Sequence, residues 1–266
     1  MVERQEEYSK LKRQPLSLVL AEFRFSPVLK MADFIPEIQE RFRKTYPAFQ
    51  EMKGQSIQVD NQEVRVSSAL AWMFTTAEGH KAVEIDQGRL VYFSSRYERF
   101  PGFLSECVGA LTILKELIDP KLLLRVGLRY NDVVTPREDE ELAAYLDSSL
   151  MPPSPLLNVG AAVHQHRTET LSQTDVGILA IRTFVSQHGL TVMPDLSDRL
   201  PVDIRNDAPS GRLSAVLDFD HYWVASERGV IFTPEIAKEH LEKLHRIARK
   251  AFWSLTTAFA RNERWS

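Results

Sequence analysis

The clearest alternation of apolar and polar positions runs from Leu122 to Val134. Leu122, Leu124, Val126, Leu128 and Tyr130 fall on one face, and Leu123, Arg125, Gly127, Arg129 and Asn131 on the other. A period of two predicts a strand, with two arginines on one face beside a glycine that permits close approach. Ser17 to Phe25 repeats the pattern, with Val19, Ala21, Phe23 and Phe25 opposite Leu18, Leu20, Glu22 and Arg24. Shorter alternating runs at Glu63 to Ser68, Ala71 to Ala77, Lys81 to Asp86 and Arg89 to Ser95 are broken at Glu78-Gly79 and Gln87-Gly88, which predicts an antiparallel meander. Further strands are expected at Ala161 to Thr170, Val176 to Ser186, Leu190 to Pro194 and Leu213 to Trp223.

Helical spacing interrupts these runs. Asp33 is a candidate N-cap for a helix carrying Phe34, Ile35, Ile38 and Phe42, closed by Tyr46-Pro47. Pro101-Gly102 lead into a second helix with Phe103, Cys107, Leu111, Leu114 and Ile118 on one stripe, ended by Asp119-Pro120. A short helix is expected through Leu142, Tyr145 and Leu146 after the acidic run Glu138 to Glu141, and the prolines of Met151 to Leu156 mark a rigid turn. Thr233-Pro234-Glu235 opens the last helix, whose Ala237, Leu241, Leu244, Ala248, Ala251, Leu255 and Phe259 give ~40 Å of amphipathic length. Residues 195 to 212 are rich in Asp, Arg, Pro and Ser and predict a long, mobile or partner-facing loop.

The order strand, helix, meander, helix occurs in residues 15–119 and again in 120–266, after a charged, flexible arm at 1–14. The expected class is α+β, two antiparallel halves with helices on one face, able to join edge to edge in one continuous sheet and forming one compact unit. In that arrangement the two long strands lie together near a pseudo-twofold axis, which brings Glu22 and Arg24 to Arg125, Arg129 and Asn131. Two readings follow: a buried Glu22–Arg129 pair, or an open site for an anionic ligand.

Composition narrows the alternatives. The chain has 266 residues, 44% of them hydrophobic, enough for a full core. A net charge of −3 gives no global pull towards nucleic acid, and the basic stretch from His245 to Lys250 follows Glu235, Glu239 and Glu242 as helix-dipole complementarity alone requires. One cysteine, Cys107, excludes an intrachain disulfide and reads as a small buried hydrophobe, which fits the cytoplasm. No run reaches the ~20 apolar residues of a membrane span, and no glycine cluster forms a phosphate-binding loop.

His164 and His166 share one strand face, as do Asp218 and Asp220, and together they have the ligand types of a divalent-metal site. His221, His240 and His245 read as solvent-exposed, and no nucleophile with an adjacent base is identifiable. Pro15-Leu16, Glu22-Phe23-Arg24-Phe25, Gly127-Leu128-Arg129-Tyr130 and the Asp218-x-Asp220 pair resemble a sporadically distributed bacterial family of uncharacterised proteins. Where that family reads Ile-Asn after the tyrosine, this chain has Asn131-Asp132. The resemblance implies a single full-length bacterial module and brings no activity or cofactor with it.

The function expected from these features is a non-enzymatic module that binds a protein partner or a second copy of itself. The alternative is a metal-dependent enzyme using His164, His166, Asp218 and Asp220, or a small-anion enzyme using Arg125 and Arg129.

Overall fold

The structure, a computed structural model, describes residues 11–60, 63–153, 159, 162–189, 191–197, 200–204, 211–226 and 228–266, with backbone only for 54–60 and 63–69. Among the described residues ten strands form one sheet: β1 (Leu16–Phe25), β2 (Ala48–Asp60), β3 (Glu63–Thr75), β4 (Lys81–Ile85), β5 (Arg89–Ser94), β6 (Leu122–Val134), β7 (Gln165–Gln173), β8 (Ile178–Ser186), β9 (Ser214–Val224) and β10 (Val230–Ile231). Four α-helices among the described residues accompany them: α1 (Met31–Phe42), α2 (Phe100–Ile118), the single turn α3 (Pro194–Ser197) and α4 (Pro234–Leu255).

The sheet order is β2-β3-β4-β5-β1-β6-β9-β8-β7, with β10 added to the start of β6, and every pairing is antiparallel. The two long strands that dominate the sequence, β1 and β6, are therefore central neighbours, and the α+β class with one continuous sheet holds. Their apolar faces explain why. Val19, Ala21, Phe23 and Phe25 of β1 and Val126, Leu128 and Tyr130 of β6 bury against α1, α2 and α4 in the main core. Hydrophobic burial on this side supplies most of the cohesion, at roughly 25 cal/mol per Å² of apolar surface.

The opposite face has its own smaller core. Leu18, Met73, Ala82, Val91 and Phe93 meet Val192 and Val202, with Leu196, Leu200 and Ile204 packed at its margin. The segment expected to be mobile or partner-facing is thus, in its described residues 195–197 and 200–204, folded down onto the sheet. Residues 198–199 and 205–210 lie outside the described residues.

Several boundaries differ from the sequence reading. The alternation in β6 breaks at its start: Arg24 pairs with Arg125 but Phe25 with Leu123, a bulge that leaves Leu124 over and turns Leu123 into the main core. The runs at 63–68 and 71–77 form one long strand, β3, because β2 pairs with it along its whole length. β2 carries few apolar residues and had no alternation to reveal it. Asp33 lies inside the first turn of α1, after Lys30, where it still complements the helix dipole. Leu142–Ala144 and Ser148–Leu150 are single 3-10 turns instead of one helix. In the expected strand at 190–194, Thr191 and Val192 bend and Pro194 opens α3, while Leu190 is outside the described residues. Of the expected arm at 1–14, residues 11–14 are docked: Leu11 is buried and the Arg13 N–H donates to the Trp265 carbonyl at 3.0 Å.

The last helix is shorter than its periodicity, 22 residues or ~33 Å, because Thr256 turns extended and bridges to Leu146. At its other end the Thr233 side chain accepts from the Ile236 N–H at 3.1 Å, the expected N-cap. Replacing Thr233 with alanine should lower stability by about 1 kcal/mol. A urea midpoint indistinguishable from wild type would show that the cap is redundant. Cys107 is fully buried, as its place on the α2 stripe requires, and burial pushes its thiol well above the ordinary range. No described helix is long and apolar enough to cross a membrane.

Candidate functional site

The charged face of β1 and β6 is an internal network. Glu22, only 8% exposed, accepts from Arg24 Nε at 2.9 Å and from Arg125, with Arg89 3.7 Å away. The register sets this choice: Glu22 lies opposite Gly127, next to Arg125 on the same face, whereas Arg129 lies opposite Leu20. The expected Glu22–Arg129 pair is therefore replaced by Glu22–Arg125. Gly127 is not forced by crowding, since an added Cβ would meet only ordinary contacts at 3.7 and 3.8 Å. It leaves a floor for the Arg125 guanidinium, which also stacks 4.4 Å from the Tyr222 ring centre.

Arg129 turns to β9 and α3 instead. Its Nε donates to Asp218 at 2.7 Å, and its two terminal nitrogens grip Asp195 at 2.8 and 3.0 Å. Asp218, with no exposed surface, also accepts from Asn131 at 2.6 Å and Arg182 at 2.9 Å. Asn131 completes the seam by accepting the Met193 N–H at 2.8 Å. Burial opposes the charge on Arg129, but the bonds to Asp195 and Asp218 outweigh it and raise its pKa; on Asp218 burial prevails and raises the carboxyl. Seven carboxylates, Glu22, Glu84, Asp86, Glu169, Asp195, Asp218 and Asp220, surround five arginines, 24, 89, 125, 129 and 182. An excess of carboxylates does not make an anion site, so Glu22, Arg24, Arg125, Arg129 and Asn131 hold the sheet and its covering loop together.

The four candidate metal ligands do not meet. β8 separates β7 from β9. Glu169 pairs with Arg182 on the face that carries Asp218, so His166, three residues away along β7, lies on the other face. His164 is exposed and outside the strand. Among the described residues no group of three or more His, Cys, Asp or Glu side chains is placed to hold a metal ion. The other histidines are not solvent-exposed as expected: His221 is fully buried between Thr174 and the Leu244 carbonyl, and His240 stacks on Trp223 at 3.8 Å.

The helix side of the sheet holds what the outer face lacks. A cavity of about 760 Å³ opens between the ends of β1 and β6, the approach to α2, and α4. Tyr97, Phe100, Phe219, Phe252 and Trp253 supply aromatic walls, and Tyr130, Asp132, His245 and Arg249 supply polar groups. The Tyr130 hydroxyl lies 2.8 Å from Nδ1 of His245 and also hydrogen-bonds Tyr97, so two phenols and an imidazole form one chain. His245 stacks flat on Phe100, ring centres 3.8 Å apart. Burial, reinforced by Arg249, pushes its pKa down to about 3, so the ring is neutral at physiological pH.

Asp132 follows Tyr130 on the inward face of β6 and is 5% exposed. No donor among the described residues hydrogen-bonds its carboxyl. Burial, with a smaller repulsion from Asp218 across the sheet, pushes its pKa up to about 8. Burial likewise raises Tyr97 to about 12 and lifts Tyr130 well above its ordinary value. The arrangement can present a protonated or ionised carboxyl, a hydroxyl chain and aromatic surface to a guest of drug-like size.

Sequence reasoning missed this cavity because its residues come from five separate stretches. Two signals were present in the chain. Asp132 continues the series Val126, Leu128, Tyr130 on the apolar face of its strand, and His245 adjoins Leu241 and Leu244 on the apolar stripe of α4. Polar groups set into apolar faces mark either satisfied core positions or a lined cavity, and only packing distinguishes the two. No family model matches the chain, and no curated protein matches it.

Proposed function

We propose that this protein is a small-molecule binding module whose receptor site is the cavity between the sheet and α2 and α4. The observation that carries the reading is the buried Asp132 carboxyl, without a hydrogen-bond donor among the described residues, lining a cavity otherwise walled by aromatic rings. Pockets of this size that combine apolar walls with a few convergent polar groups suit small ligands.

Binding is favoured over turnover by the character of the polar groups. His245, with a pKa of about 3, is too feeble a general base, and Asp132, whose pKa of about 8 would suit one, has no hydrogen-bonded relay to a second titrating group among the described residues. The protein-partner reading looked to the sheet or the 195–212 segment, and the packing of Val202 and the Asp195–Arg129 grip favour a structural role for the described part of that segment. A lone, buried cysteine is in keeping with a reducing compartment, and we place the protein in the cytoplasm as a single bacterial module of the family it resembles.

The test is a fragment panel screened by thermal shift and by fluorescence of Trp253, which lines the cavity. A compound present at 100 times its Kd should stabilise the fold by about 2.7 kcal/mol. Ala248→Leu, which extends a side chain into the cavity, should abolish those shifts while the circular dichroism stays native. A wild-type protein that binds nothing in the panel, or compounds that bind Ala248→Leu unchanged, would defeat the proposal.

A further inference from the structure

We infer that the ligand is a protonated amine with an aromatic or apolar body, its ammonium group set against Asp132. The inference rests on reading the cavity as a ligand site and names the chemistry that fits it. Asp132 sits between Leu16 and Leu217 in the sheet, neither of which offers a polar side chain. The nearest phenol on its own strand, Tyr130, is already engaged by Tyr97 and His245. A carboxyl that lines the cavity with no donor among the described residues is best partnered by a group held in that cavity.

Of the guests available, an anion is repelled once Asp132 ionises, and a neutral hydroxyl brings one donor to a group with two oxygens. An ammonium brings three donors and the opposite charge, which is the pairing that makes a buried charge tolerable. The walls suit the apolar body of such a ligand, since Phe219 and Phe252 line the cavity, while the Trp253 ring already carries Arg261 at 5.6 Å and Arg249 at 6.0 Å and Phe100 is stacked on His245. The titratable and charged groups sharing the cavity are Tyr97, Glu98 and Arg99 from the approach to α2, Tyr130 from β6, and His245 and Arg249 from α4, with Asp218 behind the sheet. Glu98 and Arg99 are exposed and mark the mouth, His245 is neutral, and the half-buried Arg249, 6.0 Å from the Trp253 ring centre, is the cation inside the cavity that the ammonium must be set away from, against Asp132.

Binding also moves a proton. At pH 7 the Asp132 carboxyl is mostly protonated; on meeting the ammonium it becomes a carboxylate, its O–H bond breaks, and the proton passes to the buffer while the amine keeps its own.

The experiment is calorimetry at pH 7 on the full chain with phenethylamine and tryptamine, each against its alcohol isostere, in phosphate and in Tris. Each amine should bind wild type at least about tenfold more tightly than its alcohol, with about one proton released per ligand. Asp132→Asn should erase both the preference and the proton release while still binding the alcohols. Equal binding of amine and alcohol to wild type, or an amine preference that survives in Asp132→Asn, would overturn the inference and leave the cavity reading intact. If panel compounds bind but neither amine does, the cation inference again falls alone; if nothing binds, both fall.

Discussion

Arg129→Ala is expected to cost about 3–5 kcal/mol of folding stability. The residue is 9% exposed and joins two carboxylates that the chain brings from distant places, Asp218 on β9 and Asp195 on α3. Its removal leaves Asp218 at 0% exposure with only Arg182 and Asn131, and it releases the bidentate anchor that holds α3 and its following segment on the sheet. Arg24→Ala is the matched comparison. The Arg24 side chain is 53% exposed, Glu22 keeps Arg125, and the expected loss is below about 1 kcal/mol. Urea denaturation of the two variants measures the difference directly. Equal midpoints would mean that the seam is no more than a surface ion pair.

Asp132→Asn is expected to make the unliganded protein more stable at and above neutral pH. In the unfolded chain an aspartate titrates near ~3.9. Folding raises Asp132 to about 8, so between these values the native state holds a proton that the unfolded state has released. Stability must then fall as pH climbs through that window, and the full penalty is reached above pH 8. At ~1.4 kcal/mol per pH unit, the penalty at pH 7 is on the order of 4 kcal/mol. Asparagine carries no charge to bury, so the advantage of Asp132→Asn should be small near pH 4 and widen steadily to pH 8. Parallel curves for the two proteins would show that Asp132 finds a partner or water in the native state. A carboxylate kept at such cost, against a stabilising substitution two atoms away in chemistry, is the pattern of a site held for binding.

The fold was readable where periodicity and burial agree. β1 and β6 show because each buries one face on the helices, so every second side chain must be apolar. α2 and α4 show because their stripes face the same core. β2 was hidden, since a sheet-edge strand needs few apolar residues, and the bulge at Leu124 was hidden because it is a property of pairing and not of either strand alone. The charged seam was half readable. The presence of Glu22, Arg125 and Arg129 in otherwise apolar strands allowed either a buried Glu22–Arg129 pair or an open anion site, and the actual partners were not legible, as register decides them and Asp195 comes from a segment with no periodicity at all.

By itself, then, the sequence determined the class of the fold, the central place of β1 and β6, the capped last helix and the presence of charged residues within apolar strands. Tertiary structure alone decided which charges meet, that His166 and Asp218 stand on opposite faces, and that Asp132, Tyr130, His245 and Tyr97 surround one cavity. The reason is physical: periodicity records which side of an element is dry, a local property of each segment. A site depends on the distance between groups from different segments, which the chain acquires only when those segments pack.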